Sequence, residues 1–280
     1  MRVWILGLVM VCGAAPAFGQ AHDLPSAMPE VRAGESPEAR GRRLLDEMVA
    51  ALGGPAWLNR GTIYREGSTA AFFRGQPTGN VTRYVENTRL ASATQPTDLT
   101  RIAFKTYRGM VAPGQKKDIF HLWTADNGYE YTYKGRTELP RPQVEDYLRR
   151  RRHSIEEVIR TWIHAPGVMI VSEGTTTQDR RIVDKVTILS ANNDAVTIEI
   201  DQFTHLPLER SFEWRNEQFK DHDIDEEAYS DYHVYQGVQT PMNITRYRNG
   251  DMVDQEYFSK VKYGEPMAPE LFDPAKLEVK

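Results

Sequence analysis

Cysteine is almost absent: Cys12 is the only one in 280 residues. It lies in the apolar run Val3-Trp4-Ile5-Leu6-Gly7-Leu8-Val9-Met10-Val11-Cys12, so removing this segment leaves no disulfide and no thiol chemistry. Val11 also stands where acylation of Cys12 would need a small residue, which argues against lipid anchoring there. After the N-terminus no stretch is apolar enough to span a bilayer. A dominant sign of charge is missing too. Without Arg2, 34 Lys and Arg face 39 Asp and Glu, a net of −5 with both signs mixed, which argues against a general nucleic-acid binder. There is no G-x-S-x-G elbow and no Gly-rich phosphate loop. His121, His164, His205 and His233 lack ligand spacing, so no metal site is expected. No catalytic residue and no cofactor is assigned, because a Ser, His and Asp that happen to meet in space would leave no trace in sequence.

What is present starts with an export signal. One charge at Arg2, the short apolar core and the small residues of Ala17-Phe18-Gly19 predict a signal peptide over 1–19, cleaved near Gly19. An exported chain without disulfides fits a bacterial periplasm, and about 260 remaining residues suffice for a core of their own. Residues 20–35, with Pro25, Pro29 and Gly34, read as a flexible linker, and 36–280 as a single domain.

Ser36-Pro37-Glu38 starts a helix, with Leu44, Leu45, Met48, Val49 and Leu52 at helical spacing and Gly53-Gly54 as its stop. Short strands follow to Tyr133, with a tight turn at Asp126-Asn127-Gly128. Pro142 to His164 keeps one helical phase. Ser154 with Glu157 resembles a capping box, so this block is either one helix or two with a break near His153. After Gly167 nearly everything reads as strand: Val196, Ile198 and Ile200 share a face, and Leu206, Leu208, Phe212 and Trp214 alternate with Pro207, Glu209, Ser211, Glu213 and Arg215. The expected fold class is α+β: a curled antiparallel sheet of about ten or eleven strands, an incomplete β-barrel, with helices covering its concave face.

This arrangement resembles the outer-membrane lipoprotein-sorting proteins, that is, the periplasmic lipoprotein carrier, its outer-membrane acceptor and sensor relatives with the same half-barrel. The resemblance runs from Ser36 to Pro274. It rests on Leu52-Gly53-Gly54, on Asp201-Gln202-Phe203-Thr204-His205-Leu206-Pro207-Leu208-Glu209, and on Tyr229-Ser230-Asp231-Tyr232 before Gly237-Val238-Gln239-Thr240-Pro241. Leu271-Phe272-Asp273-Pro274 closes it. It implies a helix-capped apolar cavity that takes up lipid or lipoprotein acyl chains, in a protein that is not an enzyme. The acceptor's lipidation cysteine is missing, which argues against an acceptor role.

Facing on the predicted elements gives the candidate ligand contacts: Leu148, Ile155, Ile159 and Trp162 from the helical block, and Leu206, Leu208, Phe212 and Trp214 from the sheet. Arg149, Arg150, Arg151 and Arg152 form the densest charge cluster. They read as a solvated helix face paired with nearby acids, or as a docking patch for anionic head groups or an envelope protein partner. Arg151 alone points towards the apolar stripe, where it could bond strand carbonyls and latch the helix. Asp221-His222-Asp223-Ile224-Asp225-Glu226-Glu227 has alternate acids, but Glu226 and Tyr232 stand where a calcium loop needs Gly and Glu, so it reads as a polar edge or loop.

Overall fold

The computed structural model describes residues 32, 34–105, 118–216 and 219–277. The expected signal peptide and nearly all of the expected linker lie outside them. Helix α1 (Pro37–Leu52) begins as its sequence dictates: Ser36 Oγ accepts from Ala39 N at 3.2 Å, and Gly53, at φ 126°, ends it. The short helix α2 (Pro55–Leu58) follows. Six strands come next: β1 (Thr62–Phe73), β2 (Gln76–Arg89), β3 (Leu99–Lys105), β4 (Asp118–Trp123), β5 (Gly128–Thr132) and β6 (Gly135–Glu138). The helical block is two helices, α3 (Arg141–Arg152) and α4 (Ile155–Arg160), broken at His153 because Ser154 turns out to cap α4 by accepting from Glu157 N. A 3-10 turn (Trp162–His164) leads to β7 (Met169–Gln178), β8 (Arg181–Leu189), β9 (Ala195–Asp201), β10 (Pro207–Asn216), β11 (Asp221–Tyr235), β12 (Val238–Arg248) and β13 (Asp251–Tyr263).

All thirteen strands form one antiparallel sheet in the order β6-β5-β4-β3-β2-β1-β13-β12-β11-β10-β9-β8-β7. The sheet is open, and β6 and β7 are its free edges. The chain between those two edges is the helical block itself, so α3 and α4 connect one rim of the sheet to the other. The sheet exceeds the expected ten or eleven strands, and one addition has a plain cause. Strand β6 is entirely exposed and carries no apolar pattern. The acidic run expected as a polar edge or loop is the first half of β11, paired on both sides by β10 and β12.

Register fixes the inner face. Ile63 stands opposite Tyr263 and Thr88, Arg65 opposite Val261 and Glu86, and Tyr84 opposite Phe104. In the other half Ile198 faces Val186 and Arg210, Phe212 faces Asp225, and Arg246 lies between Glu227 and Asp254. A bulge at Glu66/Gly67 requires glycine, since a Cβ at Gly67 would stand 2.6 Å from the Tyr257 carbonyl oxygen.

The core joins Leu44, Leu45, Met48 and Leu52 of α1 and Ile155, Val158 and Ile159 of α4 to the inner faces of both sheet halves. Val186, Ile188, Val196 and Ile198 are fully buried there, each stabilising the fold by about 1.5–3 kcal/mol. Helix α1 lies against β7, where Gly41 permits close approach: a Cβ there would stand 3.0 Å from Ser172 N. On the opposite face the C-terminal segment straps β3–β5. Phe272 packs with Phe120, Leu122 and Tyr131, and Tyr131 donates to the Pro274 carbonyl at 2.8 Å. Among the described residues no helix is long and apolar enough to cross a membrane.

Candidate functional site

Between the helical block and the sheet lies a cavity of about 480 Å³. Its apolar wall includes Leu52, Ile63, Ile102, Phe104, Ile244 and Phe258, with Ile155 contributed by α4. Its polar wall is just as prominent and was not foreseen: Arg60, Arg65, Glu86, Glu156, Glu227, Arg246 and Glu256 all line it. Most of these charges are matched. Arg60 donates from Nε to Trp57 O at 2.8 Å and pairs with Glu156 at 3.3 Å, and Arg65 pairs with Glu86 at 3.5 Å. Glu256 accepts from Tyr84 at 2.6 Å, yet burial pushes its carboxyl up to about 7.

Beside this cavity the sheet holds a buried ion network. Arg210 has no solvent exposure and reaches Asp225 at 3.4 Å; its Nη2 stands 2.7 Å from Glu227, as an ion pair rather than an aligned hydrogen bond. Tyr229 donates to Glu227 at 2.9 Å. Burial raises the Glu227 pKa, but the Arg210 charge and these contacts outweigh it and hold the carboxyl at about 2. For Asp225 burial wins over Arg210, and its carboxyl is pushed up. Arg248 touches Asp225 at 3.5 Å and also bonds Asp146 of α3, which carries the network into the helical block.

The two helices are held differently. Helix α4 is embedded, with Ile155, Val158 and Ile159 in the core. Helix α3 buries only Val144 and is fastened by polar and stacking contacts. Tyr147 stacks on Trp123 at 3.9 Å and Arg149 lies 4.3 Å over Trp214, while Arg150 bonds Asp146 within the helix itself. Arg151 donates from Nη1 to the carbonyls of Asp98 (3.1 Å) and Thr124 (2.8 Å), and from Nη2 to that of Ala125 (2.8 Å). It is therefore a latch, bonded to loops at strand ends rather than to strand interiors. At the hinge between the helices, His153 stacks on Phe212 at 4.1 Å and contacts Asp194 through Nε2 at 2.8 Å.

The sequence-based contacts are distributed unevenly. Ile155 alone of the eight lines the cavity under the helices. Trp162, Phe212 and Trp214 line a second cavity of about 990 Å³ near the β8–β9 turn and β10. Leu148 packs with Trp123, Leu139 and Val144; Ile159 and Leu206 belong to the core, and Leu208 is buried. Of the four arginines, Arg149, Arg150 and Arg151 engage the contacts above and Arg152 is exposed. The missed residues are the inward charges, Arg210 and Arg246 above all. Alternation carries Arg210 onto the face of Leu208 and Phe212, and the alternate acids of β11 were its visible partners.

No family model and no curated protein matches the sequence. Solved structures do match. A DUF1329 family protein from Desulfovibrio piger aligns with a TM-score of 0.59 at 10% identity, over 87% of this chain and 100% of its own. A domain described as outer membrane lipoprotein-sorting, from Vibrio parahaemolyticus, aligns with a TM-score of 0.54 at 10% identity, over 84% of this chain and 97% of its own. The open sheet crossed by a helical block, expected from sequence, is thus the fold that this chain shares with the DUF1329 and lipoprotein-sorting structures.

Proposed function

We propose that this chain is an exported, periplasmic, non-enzymatic binding protein that holds lipid or lipoprotein acyl chains between its sheet and its helical block. One observation carries the reading: a cavity of about 480 Å³, with an apolar wall, lies beneath a helix fastened mainly by polar contacts. That size is within the usual range for small-ligand sites. Burying acyl methylenes contributes about 0.8 kcal/mol each, so ten give roughly 8 kcal/mol before ordering costs. The likeness to a lipoprotein-sorting domain supports the same reading by analogy of fold.

Release follows from the way α3 is held. Breaking the Arg151 bonds, the Asp146–Arg248 contact and the stacks of Tyr147 on Trp123 and Arg149 on Trp214 frees α3 without dismantling the α4 core. Such opening exposes apolar surface, so delivery needs an acceptor that stabilises the open state. Docking of a sensor-type protein partner through the basic run is less favoured, because three of its four arginines are turned to contacts within the fold. The test is mass spectrometry of protein purified under mild conditions from a bacterial envelope. Stoichiometric lipid or lipopeptide is expected; protein consistently free of both, and unable to take up added fatty acid, overturns the reading.

A further inference from the structure

The acids and bases of the cavity wall do not match completely. Several arginines have a buried Nε without a partner, namely Arg40, Arg65, Arg149, Arg210, Arg246 and Arg248. Five of them reach a carboxylate through another nitrogen: Arg40 meets Asp184, Arg65 meets Glu86, Arg149 meets Asp146, Arg210 meets Glu227, and Arg248 meets Asp225. Arg246 reaches none. Among the described residues no hydrogen bond or ion pair contacts its guanidinium, although it lines the cavity.

The carboxylates around Arg246 are already engaged. Its cross-strand neighbours are Glu227 and Asp254. Glu227 is taken by Arg210 and Tyr229, and Asp254 accepts from Thr69. Asp225 and Asp146 are shared by Arg248, and Asp146 also by Arg150. Burial and the positive charge of Arg150 weaken the hold of Arg246 on its proton more than the charges of Asp225, Asp146 and Glu227, none of them in direct contact with it, strengthen it. Arg246 is only partly buried and these acids act on it from a distance, so its guanidinium keeps donors free for an anion in direct contact. The next inward residue on its strand is Ile244, and Phe258 of β13 also lines the cavity. A charged anchor thus adjoins an apolar wall.

We propose that Arg246 is the headgroup anchor of the cavity, and that the ligand is an acylated amphiphile with an anionic oxygen head, carboxylate or phosphate, whose chain runs along Ile244 and Phe258. This deepens the carrier reading and rests on it. A guanidinium presents several donors to one oxyanion, which gives selectivity over an uncharged glyceryl head.

The test compares three probes by calorimetry on the intact chain: myristate, the neutral 1-monomyristoylglycerol, and inorganic phosphate alone. The wild type is expected to bind myristate at least ten times more tightly than the neutral lipid, and phosphate only weakly. Arg246→Met should abolish that preference while leaving the neutral lipid unchanged, and Arg246→Lys should restore part of it. Equal affinity of the wild type for both lipids overturns the anchor and leaves the carrier reading intact. So does an equal loss of both in Arg246→Met. Phosphate binding as tightly as myristate overturns the amphiphile in favour of a free anion. Binding of neither lipid overturns both readings together.

Discussion

Changing Arg151 to Met should release α3 while leaving the sheet as it is. The variant keeps the aliphatic stem and removes three charge-assisted bonds, to the carbonyls of Asp98, Thr124 and Ala125. Such bonds contribute about 1.5–3 kcal/mol each when buried. Arg151 is half-exposed, so about 1 kcal/mol each is a fairer figure, or roughly 3 kcal/mol in total. Each 1.4 kcal/mol is tenfold in an equilibrium constant, so opening of α3 should become about 100-fold more favourable. Hydrogen exchange resolved by peptide is the assay. Amides of α3 should lose protection by about that factor, while those of β8 and β9, beneath the fully buried Val186 and Ile198, stay as protected as in the wild type. Unchanged protection in α3 would refute the latch. Equal loss in α3 and the central strands would show that Arg151 stabilises the whole fold instead.

Three other outcomes follow from the same geometry. Arg210→Met leaves Glu227 without its cation and Asp225 with only the longer contact to Arg248, and should cost about 3–5 kcal/mol in urea denaturation at neutral pH. Glu256, raised by burial to about 7, favours folding fully below its unfolded pKa and loses that contribution as pH rises towards 7. Glu256→Gln should therefore gain on the wild type between pH 5 and pH 8, by about 1–2 kcal/mol since the carboxyl faces a cavity; a constant difference across that window would contradict the assignment. Gly41→Val should destabilise by about 1–3 kcal/mol in thermal unfolding, because its side chain would meet the β7 backbone, and an unaltered melting temperature would count against the α1–β7 contact.

The parts of the fold legible in sequence were those that obey apolar periodicity. The cap at Ser36, the face of Val196, Ile198 and Ile200, and a helical block inserted midway all have the expected form. Strand β6 escaped because all four of its residues are exposed on an edge. The start of β11 escaped for the opposite reason: its acids look solvated in sequence, but Asp225 points inward and Arg210 neutralises it. The lining of the cavity follows the same logic. Apolar inward positions such as Ile159 and Leu206 fill the core, whereas charged ones such as Arg246 line the space. Periodicity reports which face is buried; it does not report whether a buried position meets another side chain or a void.

The central claim is tested most directly by photo-cross-linking a diazirine-bearing fatty acid to the chain and mapping the modified peptides. Labelling is expected on the inner wall, at Leu52, Ile102, Phe104, Ile244 or Phe258, and should be competed away by unlabelled fatty acid. Labelling confined to exposed positions such as Phe73, Phe203 or Phe219, without competition, would contradict the account.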